Sequence, residues 1–267
     1  MEIADIIKDS FRFPANNIKA FAIYVAVYLA VGIMVVLATV LAVFAFNDSA
    51  YILIGSVIFA ILAVLLVLIL SGYEIDIIKT GINLEDEVPG IDWKNDLIRG
   101  IKSLIVAVVY FIVPMIITVV VAFITNVPGN LMNLANEANS ASGANATIPS
   151  FVITHLWGSL ATTFIISMIL FVVFSFIHYM ANARLANTDS LSESLNVVEA
   201  VKDISRVGYA KVIVTVILMI LITFAVNGIL SIIYQQVPQL SILSIVVTPF
   251  LMFAMCRANG LLYSDIA

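Results

Sequence analysis

Chemistry has few footholds in this sequence. The densest is Glu85-Asp86-Glu87, followed across Val88-Pro89-Gly90 by Asp92, Lys94, Asp96, Arg99 and Lys102. A run of carboxylates can offer oxygens to a hard divalent cation. Three consecutive residues cannot easily turn every carboxylate inward, however, and EF-hand spacing is absent. The triplet is therefore expected to be a solvated acidic face, and it is the candidate surface for a protein partner. His155 and His178 are the only two imidazoles. On one helix rising about 1.5 Å per residue they would stand about a bilayer thickness apart, too far to share a metal or a proton. No His-Glu-x-x-His, Gly-x-Ser-x-Gly or Walker-type loop is found. The single cysteine, Cys256, excludes an intrachain disulfide or a thiol cluster. No catalytic residue, metal ligand or cofactor site is expected.

A milder polar pattern runs through the apolar stretches. Ser159, Thr163, Ser167 and Ser175 form a four-residue ladder, and Thr215, Thr223, Asn227 and Ser231 form another. Ser241, Ser244 and Thr248 add a third group beside Pro249. Such a seam can be a path for a small uncharged solute. It can equally be helix packing, since small and hydroxyl residues let apolar helices approach and hydrogen-bond. Asn227 is the residue to watch, because an amide at mid-depth needs a partner. Asn145-Ala-Thr147 and Asn47-Asp-Ser49 fit the glycosylation sequon, with Asn145 the better placed.

The elements that carry these residues follow from composition. Of 267 residues 63% are hydrophobic and 11% charged, with a mean hydropathy of +1.15. Soluble domains carry about 25% charge, so this composition belongs to the membrane class. A bilayer core takes about 20 apolar residues as helix. Six runs qualify, at roughly 20–46, 51–73, 101–125, 156–179, 212–234 and 240–262. The expected fold is all-α, a single integral membrane domain over 1–267. Short amphipathic helices are expected on its cytoplasmic side.

All twelve Lys and Arg residues fall on one side of a six-span arrangement. The connections on the other side, 47–50, 126–155 and 235–239, hold none. The positive-inside rule then places both termini in the cytoplasm of a multi-pass cell-membrane protein. The first residues do not read as a signal peptide. A formal charge of −5 argues against a nucleic-acid partner. Trp157, Tyr51 and Tyr234 mark one expected boundary, and Tyr73, Tyr179, Tyr209 and Tyr263 the other, as an aromatic belt.

Local signals sharpen the connections. Pro89-Gly90 suits a type II turn. Asp92 can cap a helix starting at Trp93, whose stripe Trp93, Leu97, Ile101 and Leu104 is apolar. Arg99 and Lys102 are expected to reach toward lipid phosphates, and Gly100 to mark a bend into the third span. Ser190 and Glu193 make a capping box for one amphipathic helix with Leu191, Leu195, Val198, Val201 and Ile204 on its apolar face. Ahead of the first, third and fifth spans stand IADIIKDSF, IDWKNDLIRG and SLSESLNVVEAVKDISRV. They suggest three weakly similar units of surface helix plus two spans. Ala22, Ala26 and Ala30 form a small-residue face read as helix packing. The Asn-rich stretch 126–155 is expected to be a loop with a short helix at 131–137. Pro114 and Pro249 are expected to kink their spans.

The order Gly72-Tyr73, Glu87-Val-Pro89, Asp92-Trp93, Arg99-Gly100-Ile-Lys102 and Tyr110-Phe-Ile-Val-Pro114 resembles an uncharacterised prokaryotic membrane protein family. That family is largely archaeal and is known as a domain of unknown function. Ala181-Asn182-Ala183-Arg184 is similar to it as well. The resemblance implies a multi-span membrane protein and carries over no catalytic residue. The reading that results is a non-enzymatic protein acting through the bilayer and a membrane or cytoplasmic protein partner. The alternative is a carrier or channel for a small uncharged solute.

Overall fold

The structure is a computed structural model that describes residues 1–45, 50–140 and 149–267. The described residues form helices α1 (Ile3–Asn16), α2 (Ile18–Ala45), α3 (Ala50–Ile82), α4 (Trp93–Ile124) and α5 (Val127–Ser140). They continue as α6 (Ser150–Thr188), α7 (Leu191–Ser194), α8 (Val197–Val207), α9 (Tyr209–Gln236) and α10 (Ser244–Tyr263), the last entered through a 3-10 turn over Pro238–Leu243. No strand occurs among them. Six of these segments are long and apolar enough to cross a membrane: Ile18–Ala45, Ala50–Ile82, Trp93–Ile124, Ser150–Thr188, Tyr209–Gln236 and Pro238–Tyr263. Their apolar side chains are largely uncovered, as Val36, Leu53, Phe123, Phe164 and Phe224 illustrate. In water such a surface would be untenable. In a bilayer it is the solvent-facing side, and the helices satisfy their own backbone groups as hydrocarbon requires.

Contacts divide the chain into two compact units, Met1–Val106 with Tyr179–Ala267, and Ala107–His178. In the first unit α3 packs on α2 and α10, and α10 also on α1 and α2. Two points fix how closely these helices can meet. A Cβ at Gly81 would lie 2.8 Å from the Gly260 Cα and 2.9 Å from the Arg257 carbonyl oxygen, so α3 and α10 cross backbone to backbone. A Cβ at Gly72 would overlap the Asp96 carbonyl, and one at Gly100 the Leu68 carbonyl, so α3 and the start of α4 do the same. Small residues at crossings are the usual device of membrane helices, where close packing replaces the hydrophobic effect. Gly100 thus serves the crossing, inside a helix that runs unbroken from Trp93 to Ile124. The second of the three expected surface helices is accordingly the first turns of α4.

Around these crossings sits an aromatic cluster. Phe21 and Tyr24 meet Phe253 edge-on at 5.5 and 5.1 Å, and Tyr73 lies 6.2 Å from the same ring. The buried face of α2 is Phe21, Tyr24 and Val27, whereas Ala22 and Ala26 are exposed. The small-residue face is therefore not the packing face of α2; the aromatic rings fill more of the space beside α10 than alanines could. The aromatic belt is also revised. Tyr51, Trp157 and Tyr209 are exposed, but Tyr73 and Tyr263 are buried inside the first unit.

Two further expectations change. Gly90 does not adopt positive φ, so Val88–Ile91 forms no type II turn. The chain reverses earlier, at Leu84, whose φ of 57° closes α3. There Glu85 N–H donates to the Thr80 carbonyl (2.9 Å) and Leu84 N–H to the Gly81 carbonyl (3.3 Å), the paired bonds of a Schellman ending. The amphipathic segment after α6 is two helices, α7 and α8, because Asn196 starts a second cap by accepting from Glu199 N–H at 3.2 Å. Its buried face is Ala200, Asp203, Ile204 and Val207, while Val198 is exposed. Pro114 and Pro249 lie within continuous helices.

In the second unit α5 extends the expected short helix to Val127–Ser140. Phe111 stacks on Phe171 at 6.1 Å, and His178 contacts the rings of Phe111 and Tyr110 at 5.1 and 6.2 Å. His178 is thus a packing residue among aromatic rings.

Candidate functional site

The acidic connection after α3 is held from below by buried side chains. Arg257, 2% exposed, donates through Nη1 to the Glu85 carbonyl (2.6 Å) and through Nε to Asp9 (2.8 Å). Its guanidinium lies 4.3 Å from the centre of the Phe13 ring. Asn17 donates to the Asp86 carbonyl (2.9 Å) and accepts from Val88 N–H (3.0 Å). Tyr73 donates to the Pro89 carbonyl at 2.9 Å. Four successive points of the loop backbone are thereby fixed, while the side chains of Glu85, Asp86 and Glu87 stand exposed. Asn83 donates to the Glu85 carboxylate at 3.0 Å. Beside them a cleft of about 400 Å³ is lined by Asp5, Lys8, Asp9, Arg12, Asn16 and Asp86, with Met1.

The loop ends as the sequence indicates. Asp92 accepts from Asn95 N–H at 3.2 Å and starts α4 at Trp93, and its own N–H donates to Asp96 at 2.8 Å. The backbone and side-chain bonds from Asn95 hold the Asp92 carboxyl below its usual range. The following bases are placed differently from expectation. Arg99 Nη1 contacts both oxygens of buried Asp76, at 2.6 and 2.8 Å, and lies 3.8 Å from buried Asp96. Lys102 donates to Asp189 at 2.7 Å. Neither points to lipid phosphate, because carboxylates on α3 and after α6 come within reach first. A second ion network surrounds Asp203, 1% exposed, which accepts from Arg184 (2.7 Å), Arg206 (2.8 Å) and Tyr263 (3.0 Å). Lys202 and Arg206 pair with Glu199, and the bond from Lys202 holds its carboxyl below the usual range. Lys211 bonds Asp265.

The polar seam divides between the two units. In the second unit Ser159 accepts from Asn130 Nδ2 (3.1 Å), Thr163 donates to the Ser159 carbonyl (2.8 Å), and its hydroxyl meets that of Thr125 at 2.8 Å. Ser167 donates to the Thr163 carbonyl at 2.7 Å. In the first unit Thr223 approaches the Met255 sulfur at 3.9 Å, and Asn227 donates to the Thr223 carbonyl at 2.9 Å. Asn227 is exposed, and its own helix supplies the partner it requires. Thr215 is fully buried, its hydroxyl without a hydrogen-bond partner among the described residues, and Thr248 is half-buried. Asn145 and Asn47 lie outside the described residues. Among those described, no group of three or more His, Cys, Asp or Glu could hold a metal ion.

The sequence reading missed Asn17, Asp9, Asp76, Asp96 and Asp203. One signal was available: Arg257 lies inside an apolar run, and a base there needs a partner.

Six spans, helix crossings built on glycine, and ion pairs gathered in the first unit define a multi-pass α-helical membrane protein. Residues 54–235 match the family described as protein of unknown function (DUF4013), and the chain belongs to it. No curated protein and no solved structure matches the chain.

Proposed function

We propose that this protein resides in the cell membrane with both termini in the cytoplasm. There it works without catalysis, by docking a protein partner on the Glu85-Asp86-Glu87 surface. The observation that supports this reading is the contrast within the loop. Its backbone is tied by Arg257, Asn17 and Tyr73, yet its three carboxylates are exposed. A surface already ordered loses little conformational entropy on binding, so more of the contact energy becomes affinity. Acidic side chains select a basic partner surface and speed encounter with it. The test is crosslinking in membranes with Glu85, Asp86 and Glu87 all changed to Gln. Loss of one defined crosslinked partner, with the fold retained, supports the docking surface; an unchanged partner set rejects it.

The orientation is tested by cysteine labelling of intact cells. Ala138→Cys should be labelled and Asp86→Cys protected, and the reverse pattern rejects the topology.

A second reading is a carrier or channel for a small uncharged solute. It rests on the polar row Asn130, Ser159, Thr163 and Thr125 in the second unit, joined in part through the Ser159 carbonyl, with Ser167 further along α6. Thr215, Thr223, Asn227 and Thr248 carry the same reading in the first unit. Flux into liposomes that disappears in Thr163→Val and Asn227→Leu favours the carrier over the docking protein.

A further inference from the structure

The second unit holds a polar cleft that the docking reading does not use and that the carrier reading touches only at Asn130. It lies between α5 and the first turns of α6, with a volume of about 360 Å³. Asn130, Asn133, Asn136 and Glu137 come from α5, and Phe151, Val152 and His155 from α6. The α5 residues recur at steps of three and four, so they share one face of the helix. The apolar Leu131 and Met132, at 49% and 68% exposure, are left uncovered. A helix–helix seam would ordinarily bury leucine and methionine and expose asparagine. Here the carboxamides line the space between the helices instead.

The donor set limits what this space can hold. No Lys or Arg occurs anywhere in residues 107–178, so the unit offers no permanent positive charge to a phosphate or carboxylate. Glu137 is the one carboxylate of the unit, and among the described residues no group of three or more His, Cys, Asp or Glu could hold a metal ion. What lines it is the Asn133 and Asn136 carboxamides, the Asn130 carboxamide oxygen as an acceptor, one carboxylate, one imidazole and one phenyl ring. Phe151 is 61% exposed, so its face is available. Hydroxyl groups in a ring pair with carboxamides and carboxylates, and the C–H face of the same ring packs on an aromatic surface. A volume of about 360 Å³ accommodates a ligand of one or two sugar rings. Asn130 also joins the cleft to the helix-borne hydroxyls, donating to Ser159 at 3.1 Å and to the His155 carbonyl at 3.3 Å.

We infer that this cleft is a binding site for a neutral sugar of one or two rings. The site stands independently of transport, because a sugar can be held there without being carried.

The test uses the full chain in nanodiscs. Glucose, galactose, N-acetylglucosamine, maltose and trehalose are titrated by calorimetry and by saturation-transfer NMR, with glucose 6-phosphate as the charged control. The expected result is saturable binding of at least one neutral sugar and none of the phosphate. Asn133→Leu and Glu137→Gln should each weaken it about tenfold, the scale of one lost hydrogen bond to the ligand. Phe151→Ala, on the facing helix, should weaken it as well, which keeps the assignment testable if an α5 variant does not fold. Absence of saturable binding by all five sugars overturns the inference. Binding that survives every folded variant overturns it too. Sugar binding without liposome flux leaves this site standing and removes only the carrier reading.

Discussion

The two units solve the problem of living in a bilayer by opposite means. The first contains all twelve Lys and Arg residues, and residues 107–178 contain none. The first unit buries charge deliberately: Arg257, Asp76, Asp96 and Asp203 are all under 9% exposed and each sits beside an oppositely charged group. It crosses helices on bare glycine backbone. The second unit relies on hydroxyls that bond mostly to their own helix carbonyls, and Gly158 on α6 has open space around it. Geometry is therefore specified tightly in the first unit and loosely in the second. Interdependent ion pairs, once formed, allow few alternative packings. Helix-internal hydroxyl bonds leave neighbouring helices free to shift.

The sharpest way to break this comparison is Arg257→Met. It leaves the Glu85 carbonyl and Asp9, whose side chain is 37% exposed, without their donor; with Asp9 open to solvent, the loss falls at or below the low end of the about 3–5 kcal/mol that breaking a fully buried ion pair costs. Equilibrium unfolding in mixed micelles should register that loss. An effect comparable to a surface substitution would show that the charge network does not hold the first unit together.

Glycine substitutions give the next contrast. Gly81→Ala forces a methyl group against the Gly260 Cα, so a loss of about 1–3 kcal/mol is expected from overpacking. Gly158→Ala meets nothing within 4 Å and should be neutral or stabilise α6 by up to about 1 kcal/mol through helix propensity. Equal losses at both sites would erase the distinction between the units.

Smaller again is Thr125→Val in the second unit. It removes one interhelical hydroxyl contact to Thr163, worth about 0.6 kcal/mol on average in membrane helices. Thermal melting against wild type measures it, and a loss as large as that of Arg257→Met would reverse the ranking.

The mildest effect concerns pH. The Glu199 carboxyl is held below its usual range by the bond from Lys202. Its contribution is present above the unfolded pKa and is lost as pH falls through the lowered folded pKa. Wild type should therefore lose slightly more stability than Glu199→Gln on acidification from neutral to that range. Coincident pH profiles would show that the α8 ion pairs are decorative.

How much of this was legible in the sequence follows the same divide. The six spans could be read because each is a run of apolar residues long enough to cross hydrocarbon. Their observed limits differ from 51–73 and 156–179 chiefly where a helix continues past the apolar stretch, to Ile82 in α3 and Thr188 in α6. Hydropathy marks where the membrane ends, and the helix ends only where backbone geometry stops it, here at Leu84 and Asp189. The Asp92 and Ser190 caps were readable because capping is local. The partners of Arg99, Lys102 and Arg257 were not, since each contact joins distant parts of the chain. Gly72 stood in the family-like pattern without a reason and Gly100 was read as a bend; the crossing of α3 and α4 accounts for both. For the candidate site, the exposed carboxylates of Glu85–Glu87 were foreseen, but the Arg257, Asn17 and Tyr73 tethers were not. The α5–α6 cleft was invisible because asparagine in a low-complexity stretch reads as loop until a facing helix gives it an inside.

The Gly81–Gly260 crossing also sets a timetable. Helix α3 leaves the ribosome long before α10, and ribosomal synthesis runs at about 5–20 residues per second. During that interval α3 must wait in the membrane with the backbone strip around Gly81 bare and Asp9 without Arg257. Of the spans made in between, α4 and α6 belong partly to the second unit, and α9 belongs to the first. The more tightly specified unit is thus the last to close, and insertion factors that shelter unpaired helices would act on α3 until α10 arrives.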